Sequence, residues 1–185
     1  MKKRMFLMAA GAAVLAAGHG FAQEAGARRD VVEIKTYVCS SVAKRDALVD
    51  LFDQALIPAL NRQGASKVGV FWTNGEVNDG GTNFDTTVFV VAAFPSAEAV
   101  LSVDQKLLAD AAYMKAAAPV FEAPMKDPLY DACSSSLLQG FATCPQVKQV
   151  TASADRLLQL RIYNSYTIER NAKKVSMFEQ GGEIG

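Results

Sequence analysis

The 185-residue sequence has very little histidine, few cysteines and no excess of either charge. Its one histidine, His19, lies in a segment that we expect to be removed, which excludes Ser-His-Asp and Cys-His catalysis and histidine-ligated zinc or haem. Its three cysteines contain no C-x-x-C pair, which argues against a redox motif. Basic and acidic residues number 19 each, so the basic surplus of a general nucleic-acid binder is missing. We therefore expect no metal, no cofactor and no nucleic-acid partner.

Residues 1–22 have the layout of a cleavable signal peptide. A positive start at Lys2–Arg4 precedes an apolar run, and the small residues Gly20 and Ala22 mark a cleavage site. The alternative is a retained membrane anchor, which the short apolar run and the polar residue Gln23 disfavour. We expect a periplasmic or secreted protein with no stable membrane insertion after cleavage. The mature chain then has 16 basic and 19 acidic residues, a net charge of −3.

The distribution of apolar residues predicts four β-strands after residue 30. Alternating or β-branched segments of strand length occur four times, and these are 31–39, 68–74, 86–94 and a stretch within 133–141. Residues 78–83, NDGGTN, connect the second strand to the third. A strand follows this loop instead of a helix, so we expect a hairpin turn there and not a phosphate-binding loop.

Two helices are predicted between these strands. Ser41 is a helix-capping residue, and helical spacing follows it as far as Gly64, with a bend or break expected at Pro58. Ser96 begins a second helix that reaches about Lys115. The order β-α-β-β-α-β predicts an α+β ferredoxin-like fold, with helices on one face of the sheet only. The other face must then meet water, a ligand or another sheet.

The same pattern begins again near the end of the sequence. Residues 159–163, QLRIY, align with residues 33–37, EIKTY, at an offset of 126 residues. Further positions of the predicted helix align at the same offset, namely Val175 with Val49, Phe178 with Phe52 and Gln180 with Gln54. We therefore predict an internal repeat.

The repeat defines the expected domain organisation. After a tail at 23–30, the first ferredoxin-like domain occupies 31–142 and a linker occupies 143–155. Residues 156–185 form a partial second copy, a strand and a helix, which cannot bury a core alone. We expect either a truncated chain, which we favour, or a second copy that is completed from elsewhere.

Both copies resemble the start of a NIPSNAP domain. The residues that carry the resemblance are VVEIKTYV, ALIPALNRQG and VGVFWT in the first copy, and LLQLRIYNS and KKVSMFEQGGEIG in the second. The resemblance implies the dimeric α/β-barrel group, in which two ferredoxin-like units pack sheet to sheet. The partner would be a second copy in a homodimer, or the tandem copy within one barrel.

The resemblance implies a fold more strongly than an activity. Members of this family are known mainly as binding or interaction proteins, so we expect a non-enzymatic binding protein. The alternative is a cofactor-free monooxygenase or lyase, because the dimeric α/β-barrel group includes such enzymes. A third possibility is a structural interaction domain, which requires an open sheet face apolar enough to form a dry interface.

The candidate ligand-binding residues follow from the strand alternation. We expect the helices to cover the even-numbered residues of 32–38, which leaves Glu33, Lys35 and Tyr37 on the open face. A closed barrel would shelter these side chains and suit a small polar or anionic ligand. The alternative for the three residues of the first strand is a face that meets solvent or another subunit. For the aromatic side chain of the second strand, the alternative is packing in the core. The full candidate set is Glu33, Lys35, Tyr37, Trp72, Arg161 and Tyr163.

Ferredoxin-like topology also suggests one disulfide. The fourth strand runs antiparallel beside the first, so Cys39 would approach Cys133. Such a bond would close a long loop and stabilise the fold by about 3–4 kcal/mol. The alternatives are three reduced thiols or a different pairing.

Overall fold

The computed structural model describes residues 28–73, 84–148 and 159–181. The predicted signal peptide at 1–22 and the predicted hairpin turn at 78–83 lie outside the described residues. Among the helices that are described, none combines the length and the hydropathy needed to cross a bilayer.

Four antiparallel strands form one sheet. They are β1 (Val31–Val38), β2 (Lys67–Trp72), β3 (Thr87–Phe94) and β4 (Ala132–Gln139). Their spatial order is β2-β3-β1-β4, with β1 and β3 in the centre. This order, with helices between β1 and β2 and between β3 and β4, is ferredoxin-like, so the predicted fold class is confirmed for the first domain.

The first helical stretch runs from α1 (Val42–Leu51) through a π-helical turn (Phe52–Leu56) into α2 (Ile57–Arg62). Ser41 caps α1 as predicted, because its side chain accepts the Lys44 backbone N–H. The irregularity expected at Pro58 takes the form of the π turn that precedes it, and the helix continues beyond the proline. Gly64 then ends the helix with a φ of 91°, a conformation that glycine adopts without steric cost.

The second predicted helix is interrupted. It consists of α3 (Ala97–Ala109), α4 (Ala111–Ala116) and the short α5 (Ala118–Phe121). Asp110 separates α3 from α4 in an extended conformation, and its side chain accepts the Tyr113 backbone N–H. Aspartate favours this capping arrangement over a helix interior, so the prediction of one continuous helix to Lys115 was wrong.

The helices cover the face of the sheet that we expected to be open. In the strand register, Lys35 lies opposite Val90 and Tyr37 lies opposite Val88, so these residues share one face. Val88 is fully buried and Val90 is 3% exposed, so the core lies on this face. The prediction that the even-numbered residues of β1 face the helices was therefore wrong. Side chains alternate along a strand, so an error of one residue in this assignment places every side chain on the opposite face. The open face therefore carries the even-numbered residues of 32–38.

The region of the predicted second copy contains one helix and no strand within the described residues. Helix α6 (Ile168–Gln180) forms, but residues 159–163 do not form the predicted strand. A strand needs a hydrogen-bonded neighbour, and within the described residues none lies beside this segment. The remainder of the predicted second domain stays a prediction.

Candidate functional site

A cavity of about 310 Å³ lies between the covered sheet face and the helices. Glu33, Lys35 and Tyr37 of β1 contribute its polar side, and leucines from α2 and α3 contribute its apolar walls. Four aromatic rings also line it, those of Tyr37, Tyr113, Phe121 and Tyr130. A volume near 300 Å³ is at the lower end for small-molecule sites, so the cavity suits a small molecule with an apolar body.

A charged network occupies the polar side of the cavity. The Lys35 ammonium lies 2.7 Å from Asp104 Oδ1 of α3 and 3.8 Å from Glu33 Oε1. The Ser135 hydroxyl of β4 donates a hydrogen bond of 2.7 Å to the same Glu33 oxygen. The Glu33 side chain is only 10% exposed, whereas that of Asp104 is 70% exposed. The network therefore runs from the interior of the cavity to its surface.

This network keeps Lys35 protonated. Burial alone would lower the pKa of the ammonium group, but the hydrogen bond to Asp104 and the charges of Glu33 and Asp104 outweigh burial. The net effect is a pKa raised above the ordinary value for lysine. Lys35 therefore acts as a fixed cation and hydrogen-bond donor, not as a base.

Tyr37 supplies a neutral hydroxyl next to the charges. Its ring packs against Phe52, with centroids 4.9 Å apart, and against Tyr130 at 5.1 Å. Burial is the main cause of a pKa far above the ordinary value for tyrosine, and the neighbouring Cys133 and Tyr130 add to the shift. Burial also raises the pKa of the Cys133 thiol. Neither group supplies a nucleophilic anion at neutral pH.

The charges of the cavity disfavour an anionic ligand. Two carboxylates, Glu33 and Asp104, flank the single cation, Lys35. An anionic ligand would be a third negative charge and would compete with carboxylates that already neutralise the ammonium group. The geometry therefore favours a neutral polar group, which can hydrogen-bond without separating the ion pairs.

The structure brings together half of the predicted candidate residues. Glu33, Lys35 and Tyr37 line the cavity together, on the covered face and not on the expected open face. Trp72 lies at the end of the edge strand β2 with half of its surface exposed, outside the cavity lining.

The two candidates from the second copy also lie elsewhere. The Arg161 guanidinium donates to the Gln159 side chain of its own segment, and Tyr163 packs against Phe178. Neither residue belongs to the cavity lining.

Sequence reasoning missed the residues that complete the network. Asp104 is 69 positions from Lys35, and Ser135 is 102 positions from Glu33. A signal for Asp104 was present, since it adjoins the inward-facing Val103 on α3. Ser135 could be assigned only from the pairing of β4 with β1, where it lies opposite Lys35.

The expected disulfide between Cys39 and Cys133 does not form. All three cysteines lie in the described residues and are free thiols. In the observed register Cys133 lies opposite Tyr37, so Cys39 is two residues further along the strand. A diagonal position of this kind separates Cα atoms by about 7–8 Å, beyond the usual span of a disulfide.

Comparisons with known proteins give structural likeness at low identity. No protein-family model and no curated protein sequence matches the chain. A NIPSNAP family protein of unknown function from Agrobacterium tumefaciens is 13% identical, with a TM-score of 0.47, over 61% of this chain and 89% of that chain. A NIPSNAP domain protein from Burkholderia xenovorans is 17% identical, with a TM-score of 0.46, over 63% and 99% of the two chains.

A candidate antibiotic biosynthesis monooxygenase from Nitrosomonas europaea is also similar. It is 11% identical, with a TM-score of 0.43, over 60% of this chain and 90% of that chain. At such identities the likeness concerns the fold alone, and the ferredoxin-like assignment depends on the strand order described above.

Proposed function

We propose that this protein is an exported, NIPSNAP-like binding protein that pairs sheet to sheet with a second copy and holds a small polar molecule in its cavity. The pairing is supported by one observation, the apolar character of the open sheet face. Val32 and Ile34 of β1, Val91 of β3 and Leu138 of β4 all lie on this face. No helix covers it within the described residues, so its burial requires another surface.

Mutation at the centre of this face tests the pairing. Ile34 lies on the central strand β1, between Val91 and Ser136. Ile34→Asp would place a charge inside the interface, so we expect a dimeric wild-type protein and a monomeric variant by light scattering. Leu101→Asp is the matched control, because Leu101 lies on α3 and is already 75% exposed. A monomeric wild-type protein, or a dimer that survives Ile34→Asp, would contradict the proposal.

Ligand binding is supported by the cavity and its polar side. Lys35 and Tyr37 supply hydrogen-bond donors beside aromatic and leucine walls. Because the carboxylates already neutralise Lys35, we expect a neutral ligand to bind in preference to an anionic one of equal size. An exported protein that carries a small molecule also agrees with the signal peptide predicted at 1–22.

A pair of matched probes tests the ligand class. Neutral 4-hydroxybenzyl alcohol should raise the melting temperature more than anionic 4-hydroxybenzoate, because only the second adds a negative charge beside Glu33 and Asp104. Leu60→Trp fills the apolar wall and should abolish the effect of the neutral probe. Equal or stronger stabilisation by the benzoate would show that the charge argument is wrong.

The enzymatic alternative, a cofactor-free monooxygenase or lyase, has less support. Acid-base catalysis near neutral pH needs a group poised to give up or accept a proton. The raised pKa values of Lys35 and Tyr37 keep both side chains protonated. Each can donate a hydrogen bond to a ligand, but neither is suited to remove a proton from it.

A further inference from the structure

Residues 159–181 repeat two local contacts of the first strand and helix, the helix cap and one aromatic pair. The Thr167 side chain caps α6 by accepting the Arg170 backbone N–H, as Ser41 caps α1 by accepting that of Lys44. Thr167 follows Ser41 by the same 126 residues that relate the two aligned sequences. The helix therefore begins at the equivalent position in both copies.

The aromatic packing is also equivalent. Tyr37 and Phe52 lie with ring centroids 4.9 Å apart at an interplanar angle of 58°. Tyr163 and Phe178, each 126 residues later, lie 5.3 Å apart at 52°. The second segment thus holds its tyrosine against its helix as β1 does, although no neighbouring strand is present in the described residues.

The difference between the copies is the pairing of the strand. β1 is hydrogen-bonded to β3 on one edge and to β4 on the other, and Tyr37 is 8% exposed. In the second copy Tyr163 is 50% exposed, and the neighbouring Ile162 is 79% exposed. Residues 159–165 therefore have no strand partner within the described residues, and they leave Leu160, Ile162 and Tyr163 exposed.

The outer edge of β4 offers a matching surface. β4 pairs with β1 along one edge, and its residues, ACSSSLLQ, are all exposed. Edge strands are usually protected from further pairing by a proline or by a charged residue such as lysine. Ala132–Gln139 contains none of these, so this edge is open to the addition of a strand.

The two segments do not meet within one chain. Phe141 packs on Phe178 with centroids 6.2 Å apart, and Glu179 accepts the Ala142 backbone N–H, so α6 is held near the end of β4. In this arrangement no backbone hydrogen bond joins the described residues 159–165 to β4. Within the described residues, neither segment therefore has the other as its partner.

We propose that residues 159–165 of one copy add as an antiparallel strand to the outer edge of β4 in a second copy. Around a twofold axis the same contact forms twice, once from each chain, so the assembly closes. Antiparallel pairing follows from the equivalence with β1, whose neighbours β3 and β4 both run antiparallel to it. This contact is separate from the open sheet face and does not require pairing through that face.

Hydrogen exchange on the full chain tests this contact directly. In the associated protein, exchange of the amides of 160–164 should be slowed by about tenfold, and dilution should remove this protection. Ile162→Asp should abolish the protection, because the charge would replace an apolar strand residue. Tyr166→Asp is the matched control, since Tyr166 is 97% exposed and lies outside the segment.

The readout separates this contact from pairing through the open face. Protection that survives dilution would assign the partner strand to the same chain and overturn the proposal. The absence of protection at every concentration would also overturn it, whatever the oligomeric state. Ile34→Asp should leave the protection of 160–164 measurable at high concentration, even where it abolishes pairing through the sheet face.

Discussion

In most proteins the covered face of a sheet is apolar and the open face is charged, but in the centre of this sheet the covered face carries the charges and the open face is apolar. The covered face carries Glu33 and Lys35 at the centre of β1, and Glu33 is only 8% exposed. The open face carries Val32 and Ile34 from the same strand and Val91 from β3. Buried charge is costly unless it is paired, and exposed apolar surface commonly marks a contact. This contrast is the basis for the proposed ligand site on the covered face and the proposed pairing through the open face.

The covered face nevertheless contains the core that stabilises the fold. Phe94, Val88, Leu48 and Val103 are the largest side chains that are fully buried. The charged network lies beside this core, toward α3 and β4. The two requirements, stability and a polar cavity, are thus met by different parts of one face.

The largest expected loss of unfolding free energy comes from comparing the removal of one aromatic ring on each face. Phe94→Ala should destabilise the protein by about 3–5 kcal/mol, because the ring is fully buried in the core. Phe71 packs over Gly69 on the open face, so Phe71→Ala should cost about 1 kcal/mol in the monomer. Urea unfolding at low protein concentration measures both values. Equal losses would show that the open face contributes as much to the fold as the covered face does.

The strands were predictable from the sequence, but their orientation was not. In β1 both faces carry apolar residues, Val32 and Ile34 on one and Tyr37 on the other, so alternation alone could not identify the face that meets the helices. β3, TVFVVAAF, is apolar on both faces and gave no further discrimination. The faces are distinguished only when β3 and the helices are assembled around β1.

The candidate site was predictable in part for the same reason. Glu33, Lys35 and Tyr37 lie on one strand, so alternation correctly grouped them. Asp104 and Ser135 come from other elements and enter through packing and strand register. Arg161 was grouped with them by the repeat, but its segment lacks the strand pairing that would place it in a cavity.

The second prediction tests whether the charges serve stability. Lys35→Leu removes the cation beside Glu33 and should cost about 1–3 kcal/mol, and Glu33→Leu should cost a similar amount. The double variant leaves no unpaired charge between these two positions, so its stability should lie within about 1 kcal/mol of the wild-type value. A double-mutant cycle by urea unfolding gives the coupling between the two sites.

Asp104 provides the control for this cycle. Asp104→Asn removes the exposed member of the network, whose side chain is 70% exposed, and should change stability by less than about 1 kcal/mol. If the double variant instead lost the sum of the two single effects, the coupling energy would be zero and the two charges would not interact in the folded protein. The functional interpretation of the covered face would then lose its main support.

The smallest expected effect concerns Tyr37, whose hydroxyl is a polar group within the apolar part of the covered face. Tyr37→Phe removes a buried hydroxyl that lies near Cys133 and Tyr130, and it should cost about 0.5–1.5 kcal/mol at pH 7. The raised pKa of Tyr37 in the folded protein means that the unfolded chain ionises first, near pH 10. The stability that the neutral hydroxyl contributes is therefore complete below about pH 10 and declines as the pH rises above that value.

The difference in unfolding free energy between the wild-type protein and Tyr37→Phe should consequently narrow above about pH 10, because only the wild-type chain has this hydroxyl to ionise. Tyr166→Phe, at an exposed tyrosine, should follow the wild-type curve throughout. Urea unfolding at several values between pH 7 and about pH 11 measures the three curves. A difference that stayed constant across this range would place the Tyr37 hydroxyl in contact with solvent, and the cavity would then lack the sheltered donor on which ligand selection depends.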